Sequence, residues 1–280
     1  MAWTLTDDID AFQSAAAGLL RSEPVRNTVQ LSVLASLTRI GLAAYGDGVP
    51  LFGWWSVGGA VGAAVLQTPP HPMLLTDLPG ESAAELAMAL ADRGVRLPGI
   101  NGAEPDVAAL GRAWQQRTGT PGRLRRRMRL YRLGGLVPPD PFPDGAARIG
   151  TESDEALVTN WFSAFAAEVG EHDSPGRVVR SRLASGQLML WEAAGQPKSL
   201  AGVTAVIAGV ARVGPVYTPP QWRGRGYGGA VTGAISELAL ARGAEAVVLF
   251  TDLANPASNS LYIKLGYEAR GDRVLLMFGD

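Results

Sequence analysis

The stretch VYTPPQWRGRGYGGAV, Val216 to Val231, constrains this chain more than any other. The apolar residues before it read as a strand. The apolar residues after it, at Val231, Ile235, Leu238 and Leu240, recur with helical spacing. Between the two stand four glycines and two arginines. Glycine lets backbone N–H groups converge on an anion with no side chain in the way. The start of a helix adds N–H groups that have no partner, and the positive end of the helix dipole. Arg223 and Arg225 add formal charge. The loop has the parts of a pyrophosphate cradle.

Other readings of the same glycines compete. Gly224, Gly226 and Gly229 match the GxGxxG dinucleotide pattern, but that pattern turns tightly from strand to helix. Here Thr218 to Arg223 intervene, and the strand before them belongs to an antiparallel run. A P-loop would need Gly-Lys-Ser/Thr, which is not present. Glycines that merely turn the chain are common, but two arginines interleaved with them at a helix start favour an anion.

The bulk sequence narrows the chemistry. Of 280 residues, 47% are hydrophobic and 18% charged, enough for a sizeable core. A net charge of −1 argues against a general nucleic-acid binder. With no cysteine and only His71 and His172, thiolate chemistry and a histidine-rich metal centre are excluded, and no metal is expected. The N-terminus is acidic without a long apolar run, so a cytoplasmic protein is expected. Val49 to Thr76 holds no acidic or basic side chain besides His71, which raises the membrane question. Its glycines and prolines, with Gly58-Gly59 between two short apolar runs, read instead as buried strands and a hairpin.

Gly134 to Gly145, with four prolines and three glycines, is the clearest break and predicts a boundary. The expected division is residues 1–137, a linker at 138–146, and 147–280. In the second half, a strand at 147–150 precedes a helix at 154–169 with Ser153 as cap and an apolar stripe at Leu157, Trp161 and Phe165. A short helix at 177–184 follows, then strands at 187–192, 199–208 and 210–217. The loop, a helix at 228–241 and a strand at 246–251 come next. Asn255-Pro256 opens a last helix that Gly266 ends, and residues 267–278 form the final strand or strand pair. In the first half, helices at 8–21 and 28–44 precede strands at 51–57, 60–67 and 73–77, a helix at 82–93, a strand near 95–99, a helix at 105–116 and a strand at 128–133. The order of three strands, helix, strand, helix, strand occurs twice, a pseudo-repeat. Where the second copy has the glycine-arginine loop, the first has LLTDLPGESAAEL.

Arg223-Gly224-Arg225-Gly226-Tyr227-Gly228 resembles the R/Q-x-x-G-x-G/A loop of the GNAT superfamily of acyl-CoA N-acyltransferases, and PPQWR resembles the family's approach to it. Asn255 to Tyr267, NPASNSLYIKLGY, resembles the family's second signature. The resemblance covers about Ala147 to Asp280, and the first half resembles the family only in element order. It implies an α/β (α+β) fold of two tandem GNAT-like domains. Each has a mixed, mostly antiparallel sheet flanked by helices, and the first is degenerate. In the second, two central strands splay to admit coenzyme A.

The resemblance also assigns roles. Backbone groups of Val216, Tyr217 and Thr218 would pair with the pantetheine arm. N–H groups from Arg223 through Gly224, Arg225, Gly226, Tyr227 and Gly228 to Gly229 would hold the pyrophosphate. Asn255, Ser258 and Asn259 would cap the helix or touch the arm. Tyr262 would be the general acid that protonates the leaving thiolate. The general base is open among Glu168, Glu171, His172 and Asp173, with Glu168 preferred and Asp252 in reserve. Trp161, Phe165, His172 and Asp252 would bound the acceptor pocket. The implied activity is acetyl transfer from acetyl-CoA to a small-molecule or peptide amine in a ternary complex, by a monomer or homodimer without nucleic acid or membrane. The alternative is an acyl-CoA sensor without turnover. The basic run GRLRRRMRLYR, Gly122 to Arg132, is expected to be the solvated outer face of an edge strand.

Overall fold

The computed structural model describes residues 2–170 and 176–279. The chain forms two compact units. The first comprises Met1–Leu130, Asp252–Ala254 and Arg270–Asp280, and the second Tyr131–Thr251 and Asn255–Ala269. The last eleven residues are thus grouped with the first unit, not with the segment that precedes them.

The first unit runs β1 (Ala2–Thr6), α1 (Ile9–Ser22), α2 (Thr28–Ile40), β2 (Leu51–Val57), β3 (Ala60–Gln67), β4 (Met73–Leu75), α3 (Ser82–Asp92), β5 (Gly99–Ala103), α4 (Glu104–Thr118) and most of β6 (Gly122–Leu133). Strands β1 to β4 pair antiparallel in sequence order, and β4 pairs parallel with β5. The apolar stretch at 49–76 is β2, β3 and β4. Gly58 and Gly59 take φ of +57° and +86°, the left-handed pair that a two-residue hairpin needs. Among the described residues, no helix is long and apolar enough to cross a membrane. Leu75, Leu86, Leu90, Ile100 and Leu110 are fully buried at the centre of this unit's core.

The second unit runs β7 (Ala146–Ile149), α5 (Glu155–Glu168), α6 (Gly176–Ala184), β8 (Leu188–Ala193), β9 (Gln196–Val203), β10 (Val210–Tyr217), α7 (Tyr227–Ala241), β11 (Ala246–Asp252), α8 (Pro256–Lys264) and the start of β12 (Tyr267–Phe278). Strands β7 to β10 pair antiparallel in order, and β10 pairs parallel with β11. The two units therefore share one order: a strand, two helices, three more strands paired in series, a helix, a parallel strand and a further helix. The pseudo-repeat extends to β1, the counterpart of β7, which sequence periodicity did not reveal. Beyond Arg270, β12 belongs to the first unit and pairs antiparallel with β5 from Arg273↔Ala103 to Met277↔Gly99.

Several expectations need correction. The strand near 95–99 lies instead at Gly99–Ala103. That segment, GINGA, has little intrinsic strand preference, and pairing on both sides determines it. β9 ends at Val203, five residues before the expected end. Helix α5 is entered through a short 3-10 turn that carries a reciprocal capping box between Thr151 and Asp154, and its own first flanking residue is Asp154 rather than Ser153. The buried stripe of α5 is Val158 and Phe162, one residue round from Leu157, Trp161 and Phe165, which are half-buried. The proline-rich segment at 138–146 lies along the second unit: Phe142 stacks edge-on against Trp191, whose Nε1–H donates to the Asp144 carbonyl. β6 is not an edge strand, although Arg123, Arg125 and Arg127 are exposed as expected. Arg127 pairs with Glu104 at 2.6 Å, and Arg129 grips both oxygens of Asp272 at 2.7 and 2.9 Å.

Candidate functional site

The site is built where β10 leaves β11. Their parallel register runs from Val210↔Ala246 to Val213↔Leu249 and goes no further among the described residues. On the other side, the pairing of β10 with β9 shifts between Val213 and Val216, then resumes at Val216↔Ala201 and Tyr217↔Leu200. The intervening residues are Gly214 and Pro215. Proline has no N–H to give a ladder, and Gly214 takes φ +149°. A bulge thus turns the strand just where its parallel neighbour falls away. Past Val213 the β11 side of this strand is left for another extended partner, while the Gly214 carbonyl accepts from Arg182 and the Tyr217 carbonyl from Ser199 Oγ. This is the splay that the motifs led us to expect.

Beyond Tyr217 the chain passes Thr218 and a 3-10 turn at Pro220–Trp222 into the glycine loop. Gly224 and Gly226 take φ of +74° and +83°, where a side chain would strain the backbone. Gly226 precedes α7, and the first helical bond is donated by the Ala230 N–H to the Gly226 carbonyl. The N–H groups of Tyr227, Gly228 and Gly229 come before it, so the helix itself leaves them unpaired. A Cβ on Gly228 would stand 3.2 Å from Thr218 Oγ1, and one on Gly229 3.0 Å from Leu261 of α8. The absence of side chains there keeps the helix start open and lets α8 pack beside it. The Tyr227 side chain turns away: its hydroxyl donates to Asp144 Oδ1 at 2.7 Å, and that carboxylate holds the phenol's pKa above its ordinary value.

The two arginines differ. Arg223 folds back, donating from Nε to the Thr218 carbonyl at 2.8 Å and from Nη2 to Glu168 at 2.6 Å. Arg225 is exposed and stands 5.1 Å from the Trp222 ring centroid. The same ring carries Lys198, whose Nζ is 3.5 Å from the centroid; Lys198 is only 5% exposed and also donates to Gln196. Cations therefore outnumber acids around the loop. Lys198 was not legible in the sequence, because a lone lysine in a strand carries no local signal. Arg182 in α6 and Asp144 before β7 were missed too, because their partners, Gly214 and Tyr227, lie far away in sequence.

Tyr262 lies on α8, 8% exposed, with its ring 6.0 Å from that of Tyr267. Desolvation pushes its pKa up to about 12, so the phenol keeps its proton at neutral pH. Its hydroxyl has no hydrogen-bond partner among the described residues, whereas the Tyr267 hydroxyl is shared with Ser236 at 2.7 Å. Asn255 caps α8, its Oδ1 accepting from the Ser258 N–H at 3.0 Å. Asn259 accepts from the Tyr131 hydroxyl at 3.0 Å and donates to the Asn255 carbonyl at 2.7 Å. These amides, and the Ser258 N–H with them, are engaged in holding α8.

The expected acceptor-side residues are only partly brought together. Trp161 faces Tyr217 with ring centroids 6.1 Å apart, and Phe165 is half-buried one turn on. Glu168 ends α5 against Arg223. Asp252 is grouped with the first unit, where its carboxylate lies 3.7 Å from Arg126 and accepts from the Ala254 N–H. Glu171, His172 and Asp173 lie outside the described residues.

Residues 196–276 match the family model of FR47-like proteins, a span that includes both motifs. No curated protein sequence matches the chain. Among solved structures, an acetyltransferase of the GNAT family from Colwellia psychrerythraea is 12% identical with a TM-score of 0.60, over 100% of both chains. A GCN5-related N-acetyltransferase from Sphaerobacter thermophilus is 17% identical with a TM-score of 0.64, over 98% of this chain and 94% of the other. A tandem GNAT protein from the clavulanic acid biosynthesis pathway is 15% identical with a TM-score of 0.59, over 99% and 98%. The chain thus has the tandem GNAT fold, with an FR47-like segment that carries its glycine loop and the Asn255–Tyr267 motif.

Proposed function

We propose that this chain is an N-acetyltransferase that moves an acetyl group from acetyl-CoA to a primary amine of a small molecule or peptide. The observation that carries the proposal is the alignment of two open features along one strand. β10 parts from β11 after Val213, and a few residues on it leads into unpaired N–H groups at the start of α7. An extended arm ending in a pyrophosphate needs that combination.

In this reading acetyl-CoA supplies an activated acetyl group as a thioester. Val216, Tyr217 and Thr218 offer main-chain groups to the arm, and the N–H groups from Arg223 to Gly229 hold the pyrophosphate. Arg225 faces solvent beside them. Tyr262 keeps a proton on its hydroxyl and delivers it to the sulfur that leaves. Glu168 serves as base once Arg223 turns from it to phosphate. Trp161 and Phe165 wall the acceptor side. The segment 147–280 is the catalytic domain, and residues 1–137 are its degenerate partner.

An acyl-CoA sensor without turnover is the second reading, and the pairing of Glu168 with Arg223 favours it. Thermal unfolding with acetyl-CoA, CoA, longer acyl-CoAs and NAD in parallel tests both. A ligand at about 100 times its dissociation constant adds roughly 2.7 kcal/mol, an easily measured shift. Stabilisation by the CoA species alone supports the cofactor site, and transfer to any member of an amine panel then separates enzyme from sensor. A response to NAD alone would sink both readings.

A further inference from the structure

The proposed cofactor cleft depends on a bulge that the strands do not hold by themselves. At Gly214 the carbonyl accepts a hydrogen bond from Arg182 Nη1 of α6 at 2.7 Å. The guanidinium is itself stacked near Phe162, 6.0 Å from its ring centroid, and Phe162 belongs to the buried stripe of α5. Gly202, on the neighbouring β9, makes room for this bond. A Cβ there would stand 2.8 Å from Arg182 Nη1 and 2.9 Å from the Gly214 carbonyl oxygen. Arg182 and Gly202, both distant from Gly214 in sequence, therefore converge on one carbonyl, at the point where β10 turns from β11.

We infer that Arg182 is a positioning residue for the acyl-CoA arm. It holds the Gly214 carbonyl out of the ladder and so fixes the course of β10 from Val216 to Thr218 beside the splay, where the Tyr217 carbonyl accepts from Ser199 and the Thr218 carbonyl from Arg223. A carbonyl in this place has no strand partner, and a charged donor satisfies it better than water does. Without that donor the bulge loses its anchor, and the strand edge no longer presents its groups in register to an extended ligand. The anion loop is anchored separately, through Arg223, Thr218 and α7, and does not need Arg182. The inference rests on the acyl-CoA reading of this site.

The test is calorimetric titration of the full-length protein and of Arg182→Met with two probes, acetyl-CoA and 3′,5′-ADP, the latter carrying no pantetheine arm. In the wild type, acetyl-CoA should bind more tightly than 3′,5′-ADP. Arg182→Met should weaken acetyl-CoA by about tenfold, as expected for one or two lost backbone hydrogen bonds. It should change 3′,5′-ADP by less than about threefold, and Arg182→Lys should restore part of the difference. General destabilisation would move the two probes together. Gly202→Ala, which intrudes on the same bond and leaves the arginine in place, should reproduce the split even if Arg182→Met does not fold. If both variants keep the full wild-type advantage of acetyl-CoA, the inference is overturned while the cofactor reading stands. If the wild type binds neither probe, the cofactor reading itself falls.

Discussion

At the scale of single residues, the site turns on two side chains whose surroundings differ. Tyr262 is enclosed and its phenol carries a pKa of about 12, so it remains protonated through the physiological range. Tyr262→Phe should lower acetyl transfer by about a hundredfold, the usual size of a general-acid contribution, and change the acetyl-CoA dissociation constant less than about threefold. Turnover and calorimetry on one preparation check it. With that pKa, no loss of transfer below about pH 10 should trace to Tyr262. Glu168 is half-exposed and spends its carboxylate on Arg223. An exposed pair of this kind is worth at most about 1 kcal/mol. Glu168→Gln should therefore tighten acetyl-CoA by no more than about fivefold, because an internal competitor for Arg223 is gone. Transfer should fall at the same time if Glu168 acts as base. Weaker binding in this variant would show that the carboxylate supports the loop instead of competing with the phosphate.

At the scale of elements, helix starts are where this fold places its precision. Helix α5 is pinned by Asp154, whose carboxylate accepts from the Thr151 N–H and pairs with both terminal nitrogens of Arg148 at 2.8 and 2.9 Å. That hydrogen bonding lowers the Asp154 pKa to about 2 from 3.8. A depressed folded-state value means stabilisation that is complete above about pH 4 and is lost as the pH falls toward 2. Asp154→Asn should cost about 1–2 kcal/mol at pH 7 by denaturant unfolding, and the gap to the wild type should close on acidification. Helix α7 needs Gly228 bare, since a larger side chain meets Thr218. Gly228→Val should weaken acetyl-CoA by at least about tenfold in a thermal-shift titration, with the far-ultraviolet spectrum unchanged. Both helix starts were partly legible beforehand. The glycine loop and the Asn255-Pro256 start announce themselves locally, because φ restriction and capping are properties of neighbouring residues. The α5 start lies one residue past the expected 154, but its cap was misread, because the capping box at Thr151 shares its acid with Arg148 from β7, a contact no local pattern encodes.

At the scale of the molecule, the two units use one element order for different ends. In the first unit β4 and β5 are also parallel, with Met73↔Ile100 and Leu74↔Asn101 in register. The Leu75 carbonyl at the end of β4 accepts from Gln30 Nε2 at 2.8 Å and Arg273 Nη2 at 2.9 Å, and Arg273 Nε reaches Asn101 Oδ1 at 3.3 Å. The end of β4 is thus filled by side chains from two directions. Burial depresses the Arg273 pKa to about 10, and the group stays charged at neutral pH. Calorimetry should accordingly give one acetyl-CoA per chain, and a stoichiometry of two would mean that the first unit also binds. Arg273→Met strands several buried carbonyl oxygens and should lower stability by about 2–4 kcal/mol in urea unfolding.

The sequence by itself determined the pseudo-repeat, most elements, the glycine loop and the capped helix after it. Each is written in local periodicity or in glycine, proline and cap residues whose backbone limits act over a few positions. Only the tertiary structure decided which strand ends stay open. The Gly214 carbonyl is taken by Arg182, and the Leu75 carbonyl by Gln30 and Arg273. Those residues lie tens to hundreds of positions away, and a hydrogen bond forms wherever folding brings donor to acceptor.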